Sequence, residues 1–122
     1  MPFRLRDRAA SFRHALRGLL LLVRTQHNTW IHLTATLAVI ALGLCLPLAR
    51  WEWAALLFAI GLVWTAEALN TALEFLADEI SLEQRPRLGH AKDAGAAAVL
   101  LAAITSALTG LLVFLPHLLA LG

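Results

Sequence analysis

The chain has 122 residues, 60% of them hydrophobic and only 15% charged, with a mean hydropathy of +0.74. That balance excludes an ordinary soluble domain, because most of the apolar surface must face lipid or other membrane helices. The formal net charge of +2 is unevenly spread and reads as a topology signal and an anionic-lipid contact, not a nucleic-acid patch.

Residues 3–24 are predicted to form an amphipathic helix. Leu5, Ala9, Phe12, Leu16, Leu19 and Val23 recur at three- and four-residue steps, with Arg6, Arg13, Arg17 and Arg24 beside that stripe. Such a helix lies in the membrane interface with its arginines reaching toward phosphates and water. The segment lacks a small-residue cleavage pattern, so a cleaved signal peptide is not expected.

The first span is predicted at about 30–49, with His32, Thr34 and Thr36 near its start and Leu46-Pro47-Leu48 closing it. Cys45, the only cysteine, excludes an intrachain disulfide and a metal–thiolate site, and is expected to be a small buried hydrophobe. The turn Arg50-Trp51-Glu52-Trp53 suits an interfacial belt.

The second span is predicted at 53–77. Trp53 to Ala66 is uncharged but too short to cross a hydrocarbon core of about 30 Å at about 1.5 Å per residue, so the helix must continue through Glu67 and Glu74. Measured from Trp53, Glu67 lies about 21 Å in and Glu74 about 31 Å in, just inside and at the far boundary. Pro86 and Gly89 are expected to break the helix in a polar loop from Asp78 to His90.

The third span is predicted at 92–116, with Ala94, Gly95, Ala98, Ala102 and Gly110 available for close packing. Arg4 to Arg24 before the first span and Arg85, Arg87 and Lys92 before the third put the N-terminus and the 78–93 loop in the cytoplasm. The 48–52 turn and the C-terminus are then outside. The expected architecture is all-α and polytopic: one integral membrane domain over 1–122, with an interfacial helix and three transmembrane helices.

Glu67, Asn70, Thr71, Glu74 and Asp78 fall within an arc of about 100° on the second span. Three carboxylates and an amide are thus expected to look into one place. An ionisable residue inside the membrane costs roughly 2.5 to 3.5 kcal/mol and normally faces the bundle interior with a partner. The partners on offer are Lys92, Asp93 and the arginines of the surface helix. Glu74 at the interface suits Mg²⁺ carrying substrate phosphates, which Lys92 and an arginine would neutralise. Glu67, deeper, suits a general base for a lipid hydroxyl. His14 and His32 are read as interfacial hydrogen-bonding residues, Trp64 as packing, and Glu79 and Glu83 as a solvated face. There is no Gly-rich phosphate loop and no protein-kinase signature.

The helix face Glu67-Ala-Leu-Asn70-Thr-Ala-Leu-Glu74-Phe-Leu-Ala-Asp78, followed by Ala91-Lys92-Asp93-Ala94-Gly95-Ala96-Ala97-Ala98-Val99-Leu100, resembles the signature of the prokaryotic diacylglycerol kinase and undecaprenol kinase family. Weaker agreement runs through Ser11 to Ala15, Gly18 and Asn28 to Leu33. The resemblance covers roughly 11 to 115. It implies a small homotrimeric kinase of the bacterial inner membrane, with sites shared between subunits, that uses MgATP to phosphorylate a lipid alcohol. It assigns Glu67 as catalytic base, Glu74 as metal ligand, Asn70 and Asp78 as polar groups of the same site, and Lys92 and Asp93 as the nucleotide-binding pair. Gln26 falls where the family often has a second metal-ligating glutamate, and offers a neutral carbonyl oxygen instead. Arg13 and Arg17 are the candidates for the arginine that meets ATP.

The first expectation is phosphorylation of diacylglycerol to phosphatidic acid, with undecaprenol as the alternative substrate. From a different class comes a small oligomeric proton-coupled transporter using Glu67 as its proton site. The Lys92-Asp93 pair argues against it, because a transporter site belongs near the midplane.

Overall fold

The computed structural model describes residues 4–122, so the predicted helix start at residue 3 lies outside the described residues. Four helices follow one another: α1 (Leu5–Thr25), α2 (His27–Cys45), α3 (Arg50–Ile80) and α4 (Pro86–Ala120). α2, α3 and α4 are each long and apolar enough to cross a membrane, and α3 packs against α4 along much of its length. One end of the bundle carries the α1–α2 corner and the 81–85 loop, and the other the 46–49 turn and the C-terminus.

α1 has Asp7 in its first turn and Arg24 in its last, complementing the helix dipole. Only near its C-terminal end does it meet the bundle, where Leu22 is buried. Leu5, Phe12 and Leu16 stay exposed, the apolar face an interfacial helix offers to lipid. A single extended residue, Gln26 (φ −110°, ψ 116°), separates α1 from α2. The fully buried Thr29 pins this corner by donating from Oγ1 to the Leu22 carbonyl at 3.1 Å. α2 therefore begins three residues before the predicted Trp30.

α2 stops at Cys45, four residues short of the predicted end. Leu46 precedes Pro47, and the proline ring drives it out of the helical region, to φ −118° and ψ 151°. Cys45 is exposed, which corrects the expectation of burial: the helix turns this thiol outward. Gly43 is buried instead, because a Cβ there would lie 2.7 Å from Trp53 Cη2.

α3 is 31 residues long, about 46 Å at the usual rise, and exceeds its predicted span by three residues at each end. The larger correction concerns α4, which starts at Pro86 and not at Lys92. Proline at the first helical position costs nothing, since its missing N–H is unpaired there anyway. Pro86 opens the helix and Gly89 lies inside it. The helix also runs past Pro116 to Ala120, beyond the predicted end at 116.

The core at the far end gathers Leu56, Val113 and Phe114 with Val39, Leu42 and Trp53. Ser106 Oγ donates to the Ala59 carbonyl at 2.8 Å, and Trp64 Nε1 to Thr36 Oγ1 at 3.0 Å, tying α4 and α2 to α3. Of the small residues expected to pack closely, Gly95 and Ala102 are buried. Ala94 and Ala98 are exposed, and a Cβ added at Gly110 would meet nothing within 4 Å among the described residues. Gly110 instead lines a cavity of about 210 Å³ between α2, α3 and α4, together with His32, Thr36, Leu56, Ile60 and Ser106.

Candidate functional site

The polar face of α3 is a single helical run, as its spacing predicts, and Glu67, Asn70 and Thr71 on it are buried. It does not look into one place. Glu67 turns toward α2, where its Oε2 lies 3.3 Å from His32 Nε2, and it is only 2% exposed. Asn70, Glu74 and Asp78 flank the α4 side. Asn70 Nδ2 donates to Glu74 Oε1 at 3.3 Å, and Lys92 Nζ to Asp78 Oδ1 at 2.6 Å. The predicted partners are thus redistributed: Lys92 reaches Asp78, and the deep carboxylate is met by a histidine.

The two flanks differ in how strongly they are held. Asn70 is wedged against Gly95, where any Cβ would collide with its Oδ1, so the missing side chain on α4 makes room for the amide that orients Glu74. Lys92 and Asp78 are 43% and 49% exposed, and a pair this open in water is worth about 0–1 kcal/mol. Separating Lys92 from Asp78 therefore costs little. Asn70 Oδ1 and Thr71 Oγ1 are buried with no hydrogen-bond partner among the described residues, an uncommon state for buried polar atoms.

The remaining predicted residues stand apart. Arg13 and Arg17 are exposed on α1, and Asp93 is exposed near the start of α4. Gln26, at the α1–α2 corner, donates from Nε2 to Thr25 Oγ1 at 3.3 Å. Among the described residues, no group of three or more His, Cys, Asp or Glu side chains could hold a metal ion. The donor set therefore fits Mg²⁺ only as an ion that brings phosphate and water ligands with it, as Mg²⁺ commonly does. Glu79 and Glu83 are exposed, as expected, and Trp64 both packs and donates a hydrogen bond.

His32 is the neighbour of Glu67 that spacing along the chain does not single out. The signal available was depth: a carboxylate buried on α3 needs a donor at the same level of an antiparallel neighbour, and His32 is the ionisable residue that α2 offers there. A second such pair lies at the far end, where Glu52 Oε2 meets His117 Nε2 at 2.7 Å.

The family model for prokaryotic diacylglycerol kinase matches residues 13–114. The undecaprenol kinase of Bacillus subtilis is 41% identical over 108 residues, which cover 88% of this chain and 88% of that protein. The diacylglycerol kinase of Synechocystis sp. is 40% identical over 112 residues, 91% of this chain and 64% of the relative. The diacylglycerol kinase of Escherichia coli is 39% identical over 62 residues, 51% of each chain. With three apolar helices of spanning length and a family match over most of its length, this all-α membrane protein belongs to the prokaryotic diacylglycerol kinase family of lipid kinases.

Proposed function

We propose that the protein transfers the γ-phosphoryl group of ATP to the hydroxyl of a membrane lipid alcohol, undecaprenol in preference to diacylglycerol. The observation that supports the phosphotransfer reading is a buried carboxylate, Glu67, on the same helix as Glu74 and Asp78, the last of which holds Lys92 of α4. The preference for undecaprenol rests on the similarity to the Bacillus subtilis undecaprenol kinase, which extends over 88% of both chains. Diacylglycerol, the first expectation from sequence, is the second reading, supported by the Synechocystis relative.

In this reading Glu67 takes the proton as the lipid oxygen attacks the γ-phosphorus; the bond to the bridging oxygen breaks and ADP leaves. Most of the acceleration comes from positioning and charge neutralisation. Lys92, with Arg13 or Arg17, would neutralise phosphate charge, and Asp93 would contact the nucleotide. Asn70 orients Glu74, and Asp78 keeps Lys92 near the site until nucleotide arrives. Glu74, with the carbonyl of Gln26, would hold Mg²⁺. Bound there, Mg²⁺ would supply positive charge to offset that of the phosphates.

The arginines of α1, with Arg85, Arg87 and Lys92 around the start of α4, favour an active side facing the cytoplasm of a bacterial inner membrane. Self-association as a homotrimer with shared sites would bring the α1 arginines and Gln26 to a neighbour's α3–α4 flank.

The test supplies detergent-purified protein with Mg²⁺, γ-labelled ATP and a panel of lipid alcohols. Label is expected in undecaprenyl phosphate ahead of phosphatidic acid. Faster labelling of phosphatidic acid would reverse the substrate order, and no labelled lipid at all would defeat the proposal.

A further inference from the structure

Glu67 is buried at a depth where a bare carboxylate is costly. Among the described residues its ionic partner is His32, whose side chain is itself only 15% exposed. Two contacts hold the turn of α2 that carries that imidazole. Thr36 Oγ1 donates to the His32 carbonyl at 2.7 Å, and the same hydroxyl accepts from Trp64 Nε1 at 3.0 Å. Trp64 and Glu67 are three residues apart on α3, and His32 and Thr36 four apart on α2, so each pair shares a helix face. The contacts Trp64–Thr36 and Glu67–His32 are therefore two adjacent rungs between the helices. The first sets the height and rotation of α2, and the second delivers the ring nitrogen to the carboxylate.

From this geometry we infer that His32 is a positioning residue for phosphoryl transfer, holding the Glu67 carboxylate aimed at the lipid hydroxyl; the inference rests on the reading of Glu67 as the base. The role requires the tautomer with the proton on Nε2: donating to Oε2, it restrains the carboxylate about its last torsion and leaves Oε1 as the oxygen that takes the lipid hydroxyl proton. The hydroxyl O–H bond breaks and an O–H bond forms on Glu67, while the proton on His32 Nε2 stays where it is. The imidazole also occupies one wall of the apolar cavity between α2, α3 and α4.

The experiment compares His32→Ala, His32→Gln and Glu67→Gln in full-length protein in lipid bicelles, measuring kcat and the KM for MgATP. Glutamine places an amide nitrogen near the position of Nε2 and restores the donor without the ring. His32→Ala is expected to lower kcat about 10- to 100-fold, the scale of a misplaced reacting group, with the KM for MgATP unchanged. His32→Gln is expected to recover kcat to within about threefold of wild type. Glu67→Gln reports on the underlying reading alone: full activity there removes the base and with it the inference. An inactive Glu67→Gln beside a His32→Ala of wild-type kcat overturns the role of His32 and leaves the base standing. Equal losses in His32→Ala and His32→Gln, or a loss carried by the KM for MgATP, also overturn it, because a donor at that position would then not be what matters.

Discussion

Two glutamate–histidine pairs cross this bundle, and they are built differently. At the far end, Glu52 uses both oxygens: Oε1 accepts from the Ala49 N–H at 3.0 Å, and Oε2 meets His117 at 2.7 Å. Glu52 is the third residue of α3 and reaches back to the cap, one half of a capping box that Ala49, with no side-chain acceptor, cannot reciprocate. Nearer the other end Glu67 has one bond among the described residues, at 3.3 Å through Oε2, longer than the usual charge-assisted hydrogen bond. The same two residue types thus give a saturated tie between helix ends and an under-bonded carboxylate with acceptor capacity to spare. If Glu67 is the base, bonding state, more than burial or residue type, separates the structural carboxylate from the reactive one.

Turnover should feel that contrast most. Glu67→Gln should lower kcat by about 10²- to 10⁴-fold, the range of a lost general base, while leaving the thermal midpoint in detergent close to wild type. Glu52→Gln should do the reverse, keeping kcat within about twofold and lowering the midpoint by several degrees as the cap and the His117 tie weaken together. His117→Leu should reproduce the stability loss only in part, since the Ala49 bond survives. A Glu52→Gln protein that lost turnover as severely as Glu67→Gln would erase the distinction between the pairs.

Much of this arrangement was legible in the sequence because a membrane helix has little choice about where its charges go. The α3 face from Glu67 to Asp78 followed from helix period and span length alone. What the sequence did not yield was which neighbour each polar group would meet. His32–Glu67, Thr36–Trp64 and Gly43–Trp53 nest about the 46–49 turn, and Asp78–Lys92, Asn70–Gly95 and Glu52–His117 about the 81–85 loop. That nesting divides one helix face between two partners, which periodicity along a single helix cannot reveal. Pro86 misled for a local reason: the same ring that breaks a helix interior is suited to a helix start.

Two glycines carry the contrast to an intermediate scale. Gly43 admits the Trp53 ring at the far end, and Gly95 admits Asn70 beside Glu74. Alanine at either position overpacks a close contact, with a cost of about 1–3 kcal/mol. Gly43→Ala should therefore lower the thermal midpoint and leave the KM for MgATP alone. Gly95→Ala should show a comparable stability loss and, in addition, raise the KM for MgATP several-fold, because the displaced amide no longer orients Glu74. Equal kinetics in the two variants would mean that Asn70 has no part in nucleotide handling.

A weaker response is expected at Asp78, whose bond to Lys92 is short but open to solvent. If Lys92 neutralises phosphate, it must give up this carboxylate when nucleotide binds, so the pair competes with ATP by an amount on the scale of an exposed ion pair, about 0–1 kcal/mol. Asp78→Asn removes the competitor. The KM for MgATP should fall by about two- to fivefold at low ionic strength, and the difference should shrink as added salt screens the pair in the wild type. A KM that rises instead, at every salt concentration, would mean that Asp78 contributes to nucleotide binding directly. Lys92 would then be held at the site by that carboxylate and not merely stored there.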